Sequence, residues 1–261
     1  MLRYAVGTFS FFHPKKKRLI IYQTPNYNNQ NVPYLYLLLN LFTLSYPLFM
    51  SWDKRINYQK KWKYFFRALP IMMVVMIIWD IAFTRIGVWG FNENYTLGWY
   101  VVGLPIEEWM FFVVVPFSCV FIYEVVVYFD TRNKYEKLGK AINLVVLVVV
   151  LFLLYIGIHQ MYTIVAMGFL SVLLLFHQFM YNAKYLGRFY ISFLFVLLPF
   201  VVMNGVLTGS FIQGEVVWYN DVDIFNFRFF TIPVEDVFYC MFMLLFLITF
   251  YELFKKKEYE N

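Results

Sequence analysis

The sequence predicts an all-α integral membrane protein with seven transmembrane helices, and three observations carry that expectation. Only 15% of the 261 residues are charged while 62% are hydrophobic, against about 25% charged in a soluble domain. A chain of this length cannot hide so much apolar surface in one core, so lipid must cover the remainder. Seven apolar runs of bilayer-spanning length follow one another, at roughly 34–52, 69–86, 101–129, 141–158, 161–180, 189–209 and 232–254. Lys and Arg, finally, gather in alternate loops between them.

In chain order, residues 1–33 hold Arg3, Lys15, Lys16, Lys17 and Arg18, then a polar tract of Asn26, Asn28, Asn29, Gln30 and Asn31 without apolar period. They read as an extension or a basic arm lying on the membrane surface. The first run is too long for a cleavable signal peptide and lacks a small-residue cleavage site. Residues 34–130 then form a first unit, 131–160 a connector helix, 161–254 a second unit and 255–261 a basic tail. The run at 101–129 is long enough to tilt or to begin with a non-helical stretch. Lys54, Arg55, Lys60, Lys61, Lys63 and Arg67 follow the first run; Arg132, Lys134, Lys137 and Lys140 follow the third; Lys184 and Arg188 follow the fifth; Lys255, Lys256 and Lys257 end the chain. The opposite loops hold only Arg85 and Arg228. By the positive-inside bias the fifteen cations and the C-terminus are cytoplasmic. The arm's cations fall on the wrong side of this scheme, which favours treating 1–33 apart. The net charge of +6 is thus a topological signal and an attraction to anionic lipid heads, and no nucleic-acid partner is expected.

The two units repeat one another. Pro105-Ile106-Glu107-Glu108 and Pro233-Val234-Glu235-Asp236 lie 128 residues apart, as do Phe91-Asn92 and Tyr219-Asn220, and Tyr123-Glu124 and Tyr251-Glu252. Asp80 and Thr84 match Asn204 and Thr208 at a spacing of 124, and Trp89 and Trp218 fall in corresponding loops. Spans 1–3 and 5–7 therefore read as copies, with span 4 joining them. Equivalent helices four spans apart run in the same direction, so the copies are parallel repeats about an axis along the membrane normal. Both acid pairs then start a span entered from the non-cytoplasmic side.

A charged carboxylate at mid-bilayer costs about 2.5–3.5 kcal/mol even on the insertion scale, so acids in apolar runs are functional candidates. Helix capping explains one acid after each proline. It does not explain two, twice, among Leu, Phe, Trp and Tyr. Glu107, Glu108, Glu235 and Asp236 are therefore the expected proton-handling groups, since desolvation and a like-charged neighbour favour a held proton. Asp80, Thr84, Asn204 and Thr208 lie at the same level, as interhelical hydrogen-bonding groups or as positioning residues. Asn92 and Asn220 are expected to hold a loop over the site. Glu124 and Glu252 read as interface anchors or ion-pair partners beside the basic loops.

Cys119 and Cys240 sit in apolar runs and form neither a disulfide framework nor a metal cluster. His13, His159 and His177 have no partner at ligand spacing, so no metal is expected. There is no Gly-x-Gly-x-x-Gly fingerprint and no P-loop, no Asp-rich magnesium motif, and no Lys within 232–254 to hold retinal. Of the 61 aromatic residues most face lipid or the interfaces. Near the acid pairs, however, Trp89, Phe91, Trp99, Tyr100, Trp109, Phe111, Trp218, Tyr219, Phe229, Phe230, Phe238 and Tyr239 concentrate, and can line a site where positive charge develops on carbon.

Asp80-x-x-x-Thr84, Gly87-Val88-Trp89-Gly90-Phe91-Asn92 and Gly103-Leu104-Pro105-Ile106-Glu107-Glu108-Trp109 resemble the carotenoid lycopene cyclase domain, as do Asn204-Gly205, Val217-Trp218-Tyr219-Asn220 and Thr231-Ile232-Pro233-Val234-Glu235-Asp236. The resemblance covers about residues 34–254 and is that of a single-chain bacterial member in which two small cyclase subunits are joined. It implies a cofactor-independent cyclase of the bacterial cytoplasmic membrane, acting on the linear ends of lycopene. It implies catalysis by Glu107, Glu108, Glu235 and Asp236, with donor and acceptor unassigned, and positioning by Asp80, Thr84, Asn92, Asn204, Thr208, Asn220, Trp89, Trp109, Trp218 and Tyr239. Implied partners are the lipophilic carotenoid, the bilayer and other enzymes of carotenoid synthesis. A related end-group enzyme such as a hydratase, a one-ended cyclase or one making another ring, a proton-coupled transporter, and a carotenoid-binding structural protein are the alternatives. With both acid pairs on one side, a membrane-spanning substrate presents one end at a time, so a single composite site working on the ends in turn is expected.

Overall fold

The computed structural model describes residues 32–260, so all but the end of the arm expected over 1–33 lies outside the described residues. Seven helices dominate: α1 Leu35–Met50, α2 Trp62–Ile86, α3 Ile106–Phe129, α4 Glu136–Ile156, α5 Met161–Leu175, α6 Leu186–Leu207 and α7 Val234–Glu260. Six of the seven, α5 with its π-helical continuation Phe176–Met180, are long and apolar enough to cross a membrane. The protein is an all-α, multi-pass membrane protein. The helix α1 is the short one. Its 16 residues rise about 24 Å, less than the ~30 Å hydrocarbon core. The apolar run continued to Trp52, but the chain already turns at Ser51, whose N–H bonds back to the Leu48 carbonyl.

The third apolar run begins, as its length allowed, outside the helix. Tyr100–Val101 (β2) pairs antiparallel with Leu104–Pro105 (β3), and α3 starts only at Ile106. Val102 and Gly103 at this hairpin's tip both have positive φ, 54° and 88°; for a β-branched valine that is strained backbone. The α6–α7 loop makes the matching hairpin, Arg228–Phe229 (β5) against Ile232–Pro233 (β6). Upstream, α2 ends on Gly87, left-handed at φ 77° with its N–H on the Phe83 and Thr84 carbonyls, the usual glycine stop.

The two long loops are joined by Trp89–Phe91 (β1) and Val217–Tyr219 (β4), antiparallel with Gly90 opposite Trp218 at the centre. Those two residues are 128 apart, the repeat spacing, and the flanking bonds are mirrored: Asn92 N–H to Val216 O and Asn220 N–H to Val88 O, 2.9 and 2.8 Å. Both acid-bearing helix starts thus lie at one end of the bundle. The residue equivalent to Trp218 is consequently Gly90, while Trp89 faces Tyr219. A Cβ at position 90 would lie 2.4 Å from the Trp218 ring, so the ladder has room for one large side chain at its centre.

Helices α3 and α7 pack on one another in the middle; α1 and α6 cover α3, while α5 and α2 cover α7. Helix α4 lies outermost against α5 and α6, with Asn143 buried and accepting from the Tyr190 hydroxyl. At the other end of the bundle the fully buried Glu124 carboxylate meets Lys61, Lys255 and the Tyr251 hydroxyl, and Glu252 accepts from Tyr123. Both acids thus take the ion-pair and anchoring places expected of them. His177 is buried and bonded to the Leu173 carbonyl, Tyr185 and Thr249, a packing role.

Candidate active site

The helix starts of α3 and α7 are built alike. The chain doubles back through the hairpin so that Ile106 N–H reaches the Trp99 carbonyl and Val234 N–H the Phe227 carbonyl, at 2.8 and 3.0 Å. The first acid of each pair ties that loop down from inside. Glu107 Oε1 accepts the Leu97 N–H and Glu235 Oε1 the Phe225 N–H, both at 2.6 Å and both ten residues upstream. Thr163 also donates to Glu235 Oε1 at 2.6 Å, and Asn40 Nδ2 donates to the Glu107 carbonyl at 3.0 Å. Both carboxyls are completely buried, and their second oxygens meet no partner.

One residue on, a helix turns by about 100°, and Glu108 and Asp236 point elsewhere. They line one cavity of about 540 Å³, within the ~300–1,000 Å³ of ligand pockets. Its walls come from every helix but α4 and from the loop ladder, and they are almost wholly apolar. Tyr36 donates its hydroxyl to Glu108 Oε2. Asp236 accepts three hydrogen bonds: Tyr162 to Oδ1 at 2.8 Å, and Asn204 Nδ2 and the Tyr219 hydroxyl to Oδ2 at 2.7 and 3.0 Å. Burial first, then the Asp236 carboxylate, pushes the Tyr219 phenol well above its usual range, so this tyrosine stays a donor. Asp80 also lines the cavity, buried; its Oδ1 accepts from Trp89 Nε1 at 2.6 Å and its Oδ2 has no partner. Rings complete the wall. Tyr162 and Tyr219 stack at 5.9 Å, and Tyr239 sits edge-on to Trp89 at 6.2 Å.

The residues expected at the site therefore divide. Glu108, Asp236, Asp80, Asn204, Trp89 and Tyr239 share the cavity wall. Glu107 and Glu235 hold the loops beside it. Asn92 and Asn220 act within the loops: Asn92 Oδ1 accepts the Asn94 N–H and Asn220 Nδ2 donates to Asp223. Thr208 turns its hydroxyl to the Asn204 carbonyl and meets Thr231, Thr84 lies one turn beyond Asp80 without lining the cavity, Trp109 Nε1 donates to the Val101 carbonyl of the hairpin at 3.2 Å, and Trp218 covers Gly90. Of the aromatic cluster, Phe91, Phe111 and Tyr219 also line the cavity, while Trp99, Phe229 and Phe230 are exposed. Tyr36 and Tyr162 are the partners that the sequence did not single out. They stand 126 residues apart at the start of corresponding helices, which is a signal, but one lost among 22 tyrosines.

Three carboxyl groups from different helices, Glu108, Asp236 and Asp80, thus face one apolar, aromatic-walled space. Such a site can hold a proton on one acid, accept one on another, and attract a cation formed between them. A family model described as lycopene cyclase matches the chain twice, over residues 33–126 and 159–254, most of its length. Comparison with curated proteins and with solved structures finds no match. With its motifs lying in both matched stretches, the chain belongs to the lycopene cyclase family.

Proposed function

We propose that the protein cyclises the linear ends of lycopene to β-rings, through monocyclic γ-carotene to β-carotene, at a single site shared by Glu108 and Asp236. The observation that carries this reading is the convergence of the second acid of each pair on one apolar cavity. A proton passes from one carboxyl to the terminal double bond, leaving a tertiary cation. The neighbouring double bond attacks it and closes the ring, the other carboxyl removes a ring proton, and that proton returns to the first carboxyl before the next ring closes. Atoms and electrons balance within the substrate, so the reaction is an isomerisation. Asp236, with three donors on its oxygens, is arranged to serve as the carboxylate base. Glu108, which accepts from Tyr36, is then the acid. The aromatic wall of Trp89, Tyr162, Tyr219 and Tyr239 faces the cation, at about 2 kcal/mol for a desolvated contact.

The molecule is read as two parallel three-helix repeats, α1–α3 and α5–α7, joined by α4. Supporting this are the ladder centred on Gly90 and Trp218 and the paired packing of α1 with α3 and α5 with α7. The cation-rich end faces the cytoplasm with the C-terminus, in a bacterial inner membrane. One site for two ends requires release or reversal of the substrate between rings. The test is a pigment time course in a bacterial host that accumulates lycopene. Transient γ-carotene followed by β-carotene is expected. Pigment that remains lycopene although the protein is well inserted rejects the function; β-carotene without γ-carotene at any time rejects the single site.

A further inference from the structure

The cavity opens sideways. Phe42, Ser45 and Tyr46 of α1 and Pro199 and Val202 of α6 line it and are exposed on the lipid-facing surface. Behind this mouth Thr43 donates its hydroxyl to Met203 Sδ at 3.1 Å, and Ser118 forms part of the wall on the way to the acids.

The repeat predicts a second mouth between α5 and α2, and that one is filled. The Tyr36/Tyr162 pair sets the α1-to-α5 spacing at 126, and Asp80/Asn204 sets α2-to-α6 at 124. Phe169 then stands where α1 has Thr43, and Trp79 where α6 has Met203. Phe246 stands where α3 has Ser118. The Trp79 and Phe169 rings lie 5.4 Å apart, and Phe242 packs on both at 6.1 and 5.6 Å. Trp79 is buried and its ring also meets Tyr239 at 4.9 Å, closing the route to the acids. Small or flexible residues on one side thus face a block of rings at the same positions on the other.

We propose that the polyene chain of the substrate enters from the lipid between α1 and α6, and that Trp79 and Phe169 seal the equivalent route between α2 and α5, leaving one lateral mouth for both acids. Polyene is the occupant because the mouth is apolar, lies along membrane-spanning helices and is continuous with the carboxyls. A substrate about as long as the ~30 Å hydrocarbon core keeps its unreacted part in the bilayer through such an opening. This rests on the reading of Glu108 and Asp236 as the reacting pair.

The repeat supplies its own control, because Val202 at the open mouth and Ile78 at the sealed one are equivalent and similarly exposed, 61% and 64%. In the lycopene-accumulating host, cyclised pigment per inserted protein is measured for Val202→Leu, Phe and Trp and for Ile78→Leu, Phe and Trp. Increasing bulk at 202 is expected to lower the rate progressively, by about tenfold or more for Trp, whereas the 78 series stays within about twofold. The Val202→Phe defect is expected to shrink as lycopene in the membrane rises, which a folding defect does not do. If Val202→Trp fails to insert, the Phe pair carries the comparison, since Ile78→Leu adds no volume. Equal behaviour of the two series overturns the proposal, including the case where only a lipid acyl chain occupies the mouth and bulk at 202 has no effect. Glu108→Gln is run beside them. Its loss of activity with a flat 202 series rejects the mouth alone, and its retention of activity rejects the site.

Discussion

Glu235 can be changed in two ways that the structure separates sharply. Gln keeps Oε1, which accepts from Thr163 and from the Phe225 N–H at 2.6 Å each, and exchanges only the oxygen that meets no partner. No hydrogen bond is lost, and the expected cost is below about 1 kcal/mol. Ala removes the acceptor and strands a hydroxyl and a backbone N–H. At about 1–3 kcal/mol for each, the cost is about 2–6 kcal/mol, or roughly 4–24 °C in Tm for a chain of this size. The released Phe225 lies in the loop that carries Tyr219, so Ala also loosens the Tyr219 bond to Asp236. Thermal unfolding in detergent, read beside pigment in the lycopene host, measures both effects. Glu235→Gln should unfold and cyclise like the wild type, and Glu235→Ala should unfold early and cyclise poorly. If Glu235→Gln abolishes cyclisation with an unchanged Tm, the first acid is chemical and the division within the pairs is wrong.

Two other substitutions test the scaffold. Gly90→Ala puts a methyl 2.4 Å from the Trp218 ring and should cost about 1–3 kcal/mol as overpacking; in a Trp218→Ala background the same change should lower the Tm no further, and a Tm already unaffected by Gly90→Ala alone would contradict the ladder. Glu124→Ala takes the buried carboxylate from Lys61 and leaves the mostly buried Lys255 ammonium with only Glu252 at 3.4 Å, a loss of about 3–5 kcal/mol for a broken buried pair. The Tm should fall while the surviving protein cyclises at the normal rate, and an unchanged Tm would remove that cluster from the account.

The membrane spans were legible because lipid imposes a composition that no soluble fold shares, and the acid pairs because carboxyls are rare in such company. The recurrence of the motifs, which the family model matches twice, was legible in the same way. What the sequence could not show was direction. Glu107 and Glu108 are neighbours of identical type, and only the helix turn between them sends one to the Leu97 N–H and the other into the cavity. Tyr36 and Tyr162 bond to the second acids from helices far away in sequence, and nothing local marks them. Trp89 and Trp218 do fall in corresponding loops, but the register that sets Trp218 opposite Gly90 follows from the centre of the ladder admitting one ring. The end of α1 was overread since Trp52 is apolar but lies past the turn at Ser51. The difference between the open and the sealed mouth depends on which rings meet, and that is a property of packing.

The most direct test of the account is the rate of lycopene consumption per inserted molecule for Glu108→Gln and Asp236→Asn, with Glu107→Gln alongside. Removal of a general acid or base at either cavity-facing position should lower the rate by about 10²–10⁴-fold, while Glu107→Gln, which keeps its bond from Leu97, stays within a few-fold of the wild type. A wild-type rate in Glu108→Gln or Asp236→Asn, or an equal collapse in Glu107→Gln with the fold intact, would contradict it.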